Sequence, residues 1–206
     1  MVRQISVTFI AGFKYKRRRC GEMLKRSGHR FRFDNGHPMD VILPGKADLP
    51  LRDDAVLLSV NFAKGILLQL VQSSFTTLEC LRAAFPSLKI AQLECPPPNG
   101  DNDFIRNNLG RYFEENFQPE QLNALSTPAQ RYKFWVLQSQ MYAKKCSELA
   151  IEYIGVPRTG ISDEGFLAPS HYGADSTHAN SAYGRLILDL LELRVGGKFD
   201  AWNSFG

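Results

Sequence analysis

Apolar helical runs alternate with short apolar strands from residue 54 onwards, and that alternation predicts an α/β fold with a mostly parallel sheet. Three observations carry the expectation. Leu88 to Cys95 alternates as Leu88, Ile90, Leu93 and Cys95, which reads as a buried strand that Pro96-Pro97-Pro98 cannot continue. Ile151 to Val156 reads as a second strand, closed by Pro157. The helical stretches between them exceed the dozen or so residues that a parallel crossover requires. The two strands should therefore pair in parallel, with helices on both faces.

Taken in order, Val7 to Phe13 alternates weakly and reads as a strand. Residues 14–36 are basic, hold Gly21, Gly28 and Gly36, and show no clean period. His37 to Pro50 is a Pro- and Gly-punctuated loop with a short buried strand at Val41-Ile42-Leu43. Asp54 to Gln72 is apolar and long enough to favour a helix. Ser74 reads as the N-cap of a separate helix, Phe75 to Phe85, stopped by Pro86. Asp103 to Phe117 is expected helical, with Phe104, Ile105, Leu109, Tyr112 and Phe113 inward. Thr127 and Pro128 open a long helix to about Ala150, buried through Phe134, Leu137, Met141 and Leu149. A loop of about twenty residues then leads to a last helix, Asn180 to Leu193, ended by Gly196-Gly197.

A chain of 206 residues with 44% apolar content is an ordinary globular domain. No apolar run reaches the roughly 18 residues that span a bilayer. The run Ile5 to Phe13 is followed, not preceded, by a basic cluster, the reverse of a secretion signal. The four cysteines, at 20, 80, 95 and 146, lack the spacing of a zinc or redox pair. Cys80 and Cys95 read as buried and reduced, which favours a cytoplasmic location. The sequence calls for no cofactor, and His29, His37 and His171 do not combine into a metal site.

The net charge of +4 conceals an asymmetry: residues 1–33 carry ten Lys or Arg against the single acid Glu22, so that segment is +9 and the remainder −5. Such a head suits an acidic partner or a solvated arm. Nothing else in the sequence points to nucleic acid. Segment 1–36 is therefore expected to be a poorly ordered or rearranged arm, 37–195 the α/β domain, and 196–206 a tail.

Asp175 and His178 are the candidate catalytic residues. They stand three apart on the loop entering the last helix. At that spacing a carboxylate can accept the Nδ1 proton of the imidazole, fix its tautomer and leave Nε2 free as a base. The plainer alternative is a local cap, with Asp175 closing a turn ahead of the helix.

Asp175-Ser176-Thr177-His178, continued by Ala179-Asn180-Ser181-Ala182-Tyr183-Gly184, resembles the C-terminal block of the SGNH (GDSL-type) serine hydrolases. The order of helix, strand, Pro-rich loop, long helix, strand, loop and last helix is similar to the second half of that fold, over roughly residues 40–195. The resemblance implies a three-layer α/β sandwich. It also implies Asp175 as the orienting acid, His178 as the general base, and an ester or acylated carbohydrate as substrate. In that family a serine follows the first strand in a Gly-Asp-Ser-like turn, whereas here Val7-Thr8-Phe9-Ile10 leads to Ala11-Gly12-Phe13-Lys14. Ser6 lies inside the strand and Ser27 follows the basic stretch, so neither fits. Ser59-Val60-Asn61 is one reading of the family's asparagine block, opposed by the helical character of the run around it. In another reading the missing blocks lie at or before the basic head, and the chain is the back portion of the fold, impaired or inactive. The competing function is a non-catalytic binding protein that keeps the pocket or uses the basic head.

Overall fold

The computed structural model describes residues 37–109 and 125–195, together with the backbone of a strand at 5–8. Strands β1 (Ile5–Thr8), β4 (Lys89–Leu93) and β5 (Glu152–Ile154) form a parallel sheet in the order β1-β4-β5. Its register pairs Ser6 with Ile90 and Gln92 with Tyr153. Strands β2 (Met39–Val41) and β3 (Val56–Leu58) form a second parallel pair. The fold is α/β, and its described strands are shared between two parallel sheets. The remainder of 1–36, residues 110–117 of the expected helix, and 196–206 lie outside the described residues.

Helix α1 (Val60–Ala84) replaces two expected helices. The run from Asp54 divides into β3 and the start of α1, and Ser59 is the N-cap, accepting the Phe62 N–H at 3.2 Å. The helix then passes through Ser74 without a break. Ser74 is buried inside it, while Thr76 and Thr77 return their hydroxyls to the carbonyls of Gln72 and Ser73. The buried strand near residue 41 lies two residues earlier than expected, at Met39–Val41.

Helix α2 (Asn102–Asn107) is short and capped by Asp101, whose Oδ1 accepts the N–H groups of Asp103 and Phe104 at 2.8 and 2.9 Å. Helix α3 (Pro128–Glu148) opens with a reciprocal capping box. Thr127 Oγ1 accepts the Gln130 N–H at 3.1 Å, and Gln130 Oε1 accepts the Thr127 N–H at 2.8 Å. Gln130 Nε2 also donates to Met39 O at 2.7 Å, which ties α3 to β2. Helix α4 (Ser181–Val195) closes the described chain.

The period-2 alternation of β4 sends its side chains to two apolar clusters. Ile90 packs with Val71, Phe75 and Leu78 of α1 and with Tyr142 and Cys146 of α3. Ala91 and Leu93 pack with Ile154 and with Tyr183, Ile187 and Leu191 of α4. A third cluster joins β2 to α1 and α3 through Met39, Val41, Leu67, Phe134 and Leu137.

A buried ion pair stands beside that third cluster. Lys133 Nζ donates to Asp40 Oδ1 at 2.9 Å and to Pro50 O at 2.8 Å, with both side chains fully buried. Asp40 also accepts the N–H groups of Val41 and Arg52, at 2.7 and 2.9 Å. Burying a charge is tolerable when its partners are all in place, and here they are. Cys146 is buried, Cys95 half-buried and Cys80 exposed. Cys80 therefore departs from the expected burial, because two positions after buried Leu78 a helical side chain has turned about 200° away from the core.

Candidate functional site

Two loops leave the carboxyl ends of adjacent strands. The loop after β4 runs through Pro96-Pro97-Pro98-Asn99-Gly100 to Asp101, and the loop after β5 runs from Gly155 to Asn180. In parallel sheets ligands bind at this edge. The loops touch: Leu167 N donates to Pro98 O at 3.1 Å, and the Phe166 ring lies against Gly100.

The second loop folds back on itself around Gly173. Tyr172 bridges Ala179 in antiparallel fashion, Gly173 N donates to His178 O at 2.8 Å, and Asn180 N donates to His171 O at 2.9 Å. A Cβ on Gly173 would stand 2.3 Å from His178 O, so the crossing requires glycine. Asn180 Oδ1 accepts the Tyr183 N–H at 3.1 Å, and Asn180 Nδ2 donates to Ser170 O at 2.8 Å. Asn180 thus ties the entry of α4 to the start of the turn.

Asp175 and His178 meet inside this turn, with His178 Nδ1 at 2.7 Å from Asp175 Oδ2. The other carboxylate oxygen accepts the N–H groups of Thr177 and His178 at 2.8 and 2.9 Å and the Thr177 hydroxyl at 2.9 Å. Burial by itself raises the Asp175 pKa. The hydrogen bonds from Thr177 and His178 outweigh it and bring the pKa down from 3.8 to about 2. An ionised Asp175 has no proton to give, so Nδ1 is the donor and neutral His178 holds Nε2 as an acceptor. The turn cap and the imidazole contact are therefore one arrangement, with one oxygen serving the backbone and the other the imidazole.

The His178 side chain is 73% exposed. Among the described residues, the hydroxyl against its ring is that of Thr177, 3.1 Å from Nδ1 and thus on the wrong nitrogen for a nucleophile. Ala11 to Lys14, which follow β1, lie outside the described residues. Ser59 stands exposed at the turn from β3 into α1, occupied as the helix cap. The division of the 54–72 run also places Asn61 exposed just inside α1, immediately after a strand. Val56-Leu57-Leu58-Ser59 carried that signal, since three apolar residues before a serine suit a strand and its exit as well as a helix.

His171 has a buried Nδ1 without a hydrogen-bond partner, and its ring meets Tyr183 edge-on at 5.9 Å. Among the described residues no three His, Cys, Asp or Glu side chains converge on a metal position. None of the helices searched among them is long and apolar enough to cross a membrane.

The first loop is pinned from α3. Arg131, 2% exposed, donates from Nε to Asn99 O at 3.0 Å and from Nη1 to Ser126 O. Burial lowers its pKa to about 10, against the opposing influence of Tyr172 and Asp101. Tyr172 of the second loop meets α2, its ring 4.7 Å from that of Phe104. Burial and the Asp101 carboxylate raise the Tyr172 pKa, and the backbone amides of Gly100 and Asp101 together with Arg131 oppose the shift.

No family model matches the chain. No curated protein matches it either. Among solved structures it is similar to a Streptococcus pneumonia protein provisionally named a platelet activating factor, at 15% identity and a TM-score of 0.40. That match covers 66% of this chain and 57% of the other, so the chain spans little more than half of that protein's length.

Proposed function

We propose that the chain is an SGNH (GDSL-type) hydrolase-like protein of ester- or acyl-hydrolysing descent, with Asp175 and His178 in the roles of orienting acid and general base. The observation that carries the reading is the 2.7 Å pairing of Nδ1 with an ionised carboxylate, which leaves Nε2 exposed beside the loops at the carboxyl end of the sheet. In this reading residues 37–195 form the domain, with the strand Ile5–Thr8 added to its sheet, the rest of 1–36 is a basic head and 196–206 a tail. The apolar clusters of α1 and α3 at Ile90 and of α4 at Leu93 support a three-layer sandwich. Asn61, after β3, fits the position of an oxyanion donor in the resemblance.

The chemistry expected of a complete site is attack by a serine hydroxyl on an ester carbonyl, Nε2 taking the proton and Asp175 stabilising the resulting imidazolium. The alkoxide leaving group then recovers that proton from Nε2, and water repeats the cycle on the acyl-enzyme. Each triad member normally contributes several orders of magnitude in rate. The sequence after β1 offers Ala11-Gly12-Phe13-Lys14 in place of a serine turn. We therefore assign the protein as catalytically impaired. The missing serine in Ala11-Gly12-Phe13-Lys14 also favours a second reading, a non-catalytic binding protein that uses the retained site or the basic N-terminal segment for an acidic partner.

Hydrolysis of short-chain aryl esters by wild type and His178→Ala tests the assignment. Equal, weak rates are expected. A burst of acyl-enzyme abolished by His178→Ala would contradict it, and Ser59→Ala would then be the first variant to locate the nucleophile.

A further inference from the structure

The Asp175–His178 turn closes on itself, yet its place over the sheet depends on a contact with a distant element. Ser176, midway between the pair and 3% exposed, donates its N–H to Asn108 O at 2.7 Å. Asn108 is the C-cap of α2, and its Nδ2 turns back to Phe104 O at 2.8 Å. The same α2 reaches the base of the turn through Phe104, whose ring lies tilted against that of Tyr172 next to Gly173. A six-residue helix thus grips the turn at its middle and at its root.

A helix that short does not hold itself together in water. Its order comes from its ends. At the N-terminus Asp101 accepts two backbone N–H groups, and its own N–H is fixed by Asn99 Oδ1 at 2.8 Å. Asn99 O is in turn held by the buried guanidinium of Arg131. The path from α3 to the turn is a continuous set of contacts: Arg131, Asn99, Asp101, α2, then Ser176 and Tyr172.

We propose that Asp101 is a positioning residue for His178, holding the Asp175–His178 pair in register over the carboxyl edge of the sheet by ordering α2. The proposal rests on the reading of His178 as the base of the site, while its test reads the imidazole directly and does not depend on turnover. Asp101 is exposed and is not among the residues of the buried clusters, though its backbone amide and carboxylate also face Tyr172, so its replacement is expected to spare the core. Loss of the cap frees α2 to fray, which releases Ser176 and lets water compete for Nδ1 of the exposed imidazole.

The experiment uses the full chain in three forms: wild type, Asp101→Ala and Asp101→Asn, the last restoring a good cap. Nitrogen-15 NMR gives the ratio of Nδ1–H to Nε2–H tautomers of the neutral imidazole, and hydrogen exchange gives protection of the Ser176 amide. Asp101→Ala is expected to lower both the tautomer ratio and the Ser176 protection about fivefold, the effect of one ordinary net hydrogen bond. The protection of Ile90 in β4 should not change, and Asp101→Asn should restore wild-type behaviour in both readouts. Phe104→Leu, which removes the ring contact with Tyr172 but keeps the cap, should shift the tautomer ratio in the same direction. An unchanged tautomer ratio in Asp101→Ala, with Ile90 still protected, would overturn the proposal. So would equal loss at Ser176 and Ile90, which would make Asp101 a contributor to overall stability alone. If the esterase reading failed and these shifts were still seen, the positioning role would stand by itself.

Discussion

Replacement of Gly173 by alanine tests the construction of the turn. An added Cβ would stand 2.3 Å from His178 O and 2.9 Å from its carbonyl carbon, where ordinary contact begins at 3.4 Å. Both obstacles are backbone, which cannot swing away as the end of a side chain can. His178 must therefore retreat by roughly 1 Å, as backbone does when a packed position receives an extra methyl. That breaks the 2.8 Å bond from Gly173 N to His178 O and carries Nδ1 beyond hydrogen-bond reach of Asp175. The lost bond costs about 0.5–1.5 kcal/mol and the overpacking about 1–3 kcal/mol. Because the turn can open locally, those energies bound the loss of global stability from above. Two measurements check this. In urea unfolding the midpoint should fall by up to about 2 M for a slope of about 2 kcal/mol per M. In nitrogen-15 NMR the His178 imidazole should lose its preference for the Nδ1–H tautomer. A Gly173→Ala protein with wild-type stability and an intact Nδ1–H tautomer would refute the described crossing of Gly173 and His178.

Lys133→Met should destabilise the protein by about 3–5 kcal/mol, because it strands the fully buried Asp40 carboxylate on two backbone N–H groups alone; equilibrium unfolding measures it. Ala150 holds φ at 50° after α3, so Ala150→Gly should stabilise by about 1 kcal/mol, seen as a rise in Tm. The depressed Asp175 pKa gives a contribution to stability that is complete above 3.8 and lost as pH falls towards about 2. The stability difference between wild type and Asp175→Ala should therefore shrink over that interval, and carboxyl carbon NMR should show Asp175 titrating below the ordinary aspartate value.

The legible parts of the fold were those written in short-range chemistry. Thr127-Pro128 with Gln130 spells a capping box, and α3 begins there. The alternation from Leu88 and the proline stop at 96 mark β4, and the apolar run closed by Pro157 marks β5 by the same reasoning. The parallel pairing follows from the length of chain between them. Ser74 misled because serine caps helices by preference yet is accommodated within them when nearby hydroxyls bond back to carbonyls. The 54–72 run misled in the opposite way, since Leu57-Leu58-Ser59 suits a strand and a cap as readily as a helix. In the site, the contact of Asp175 with His178 is local and readable from the i, i+3 spacing. The grip of Asn108 on Ser176 joins residues 68 positions apart, and the burial of Arg131 against Asn99 joins residues 32 apart. No periodicity or motif encodes such pairs; they exist only once α2 and α3 have been placed by the sheet.

The central claim is that His178 is a correctly paired base without a serine to activate. Labelling with an alkyl fluorophosphonate, followed by peptide mass spectrometry, tests it most directly, because the reagent phosphonylates a serine only when a base removes its proton. The account predicts no serine adduct above the level seen in His178→Ala. A stoichiometric adduct on one serine, lost in His178→Ala and in Asp175→Ala, would contradict it and name the nucleophile.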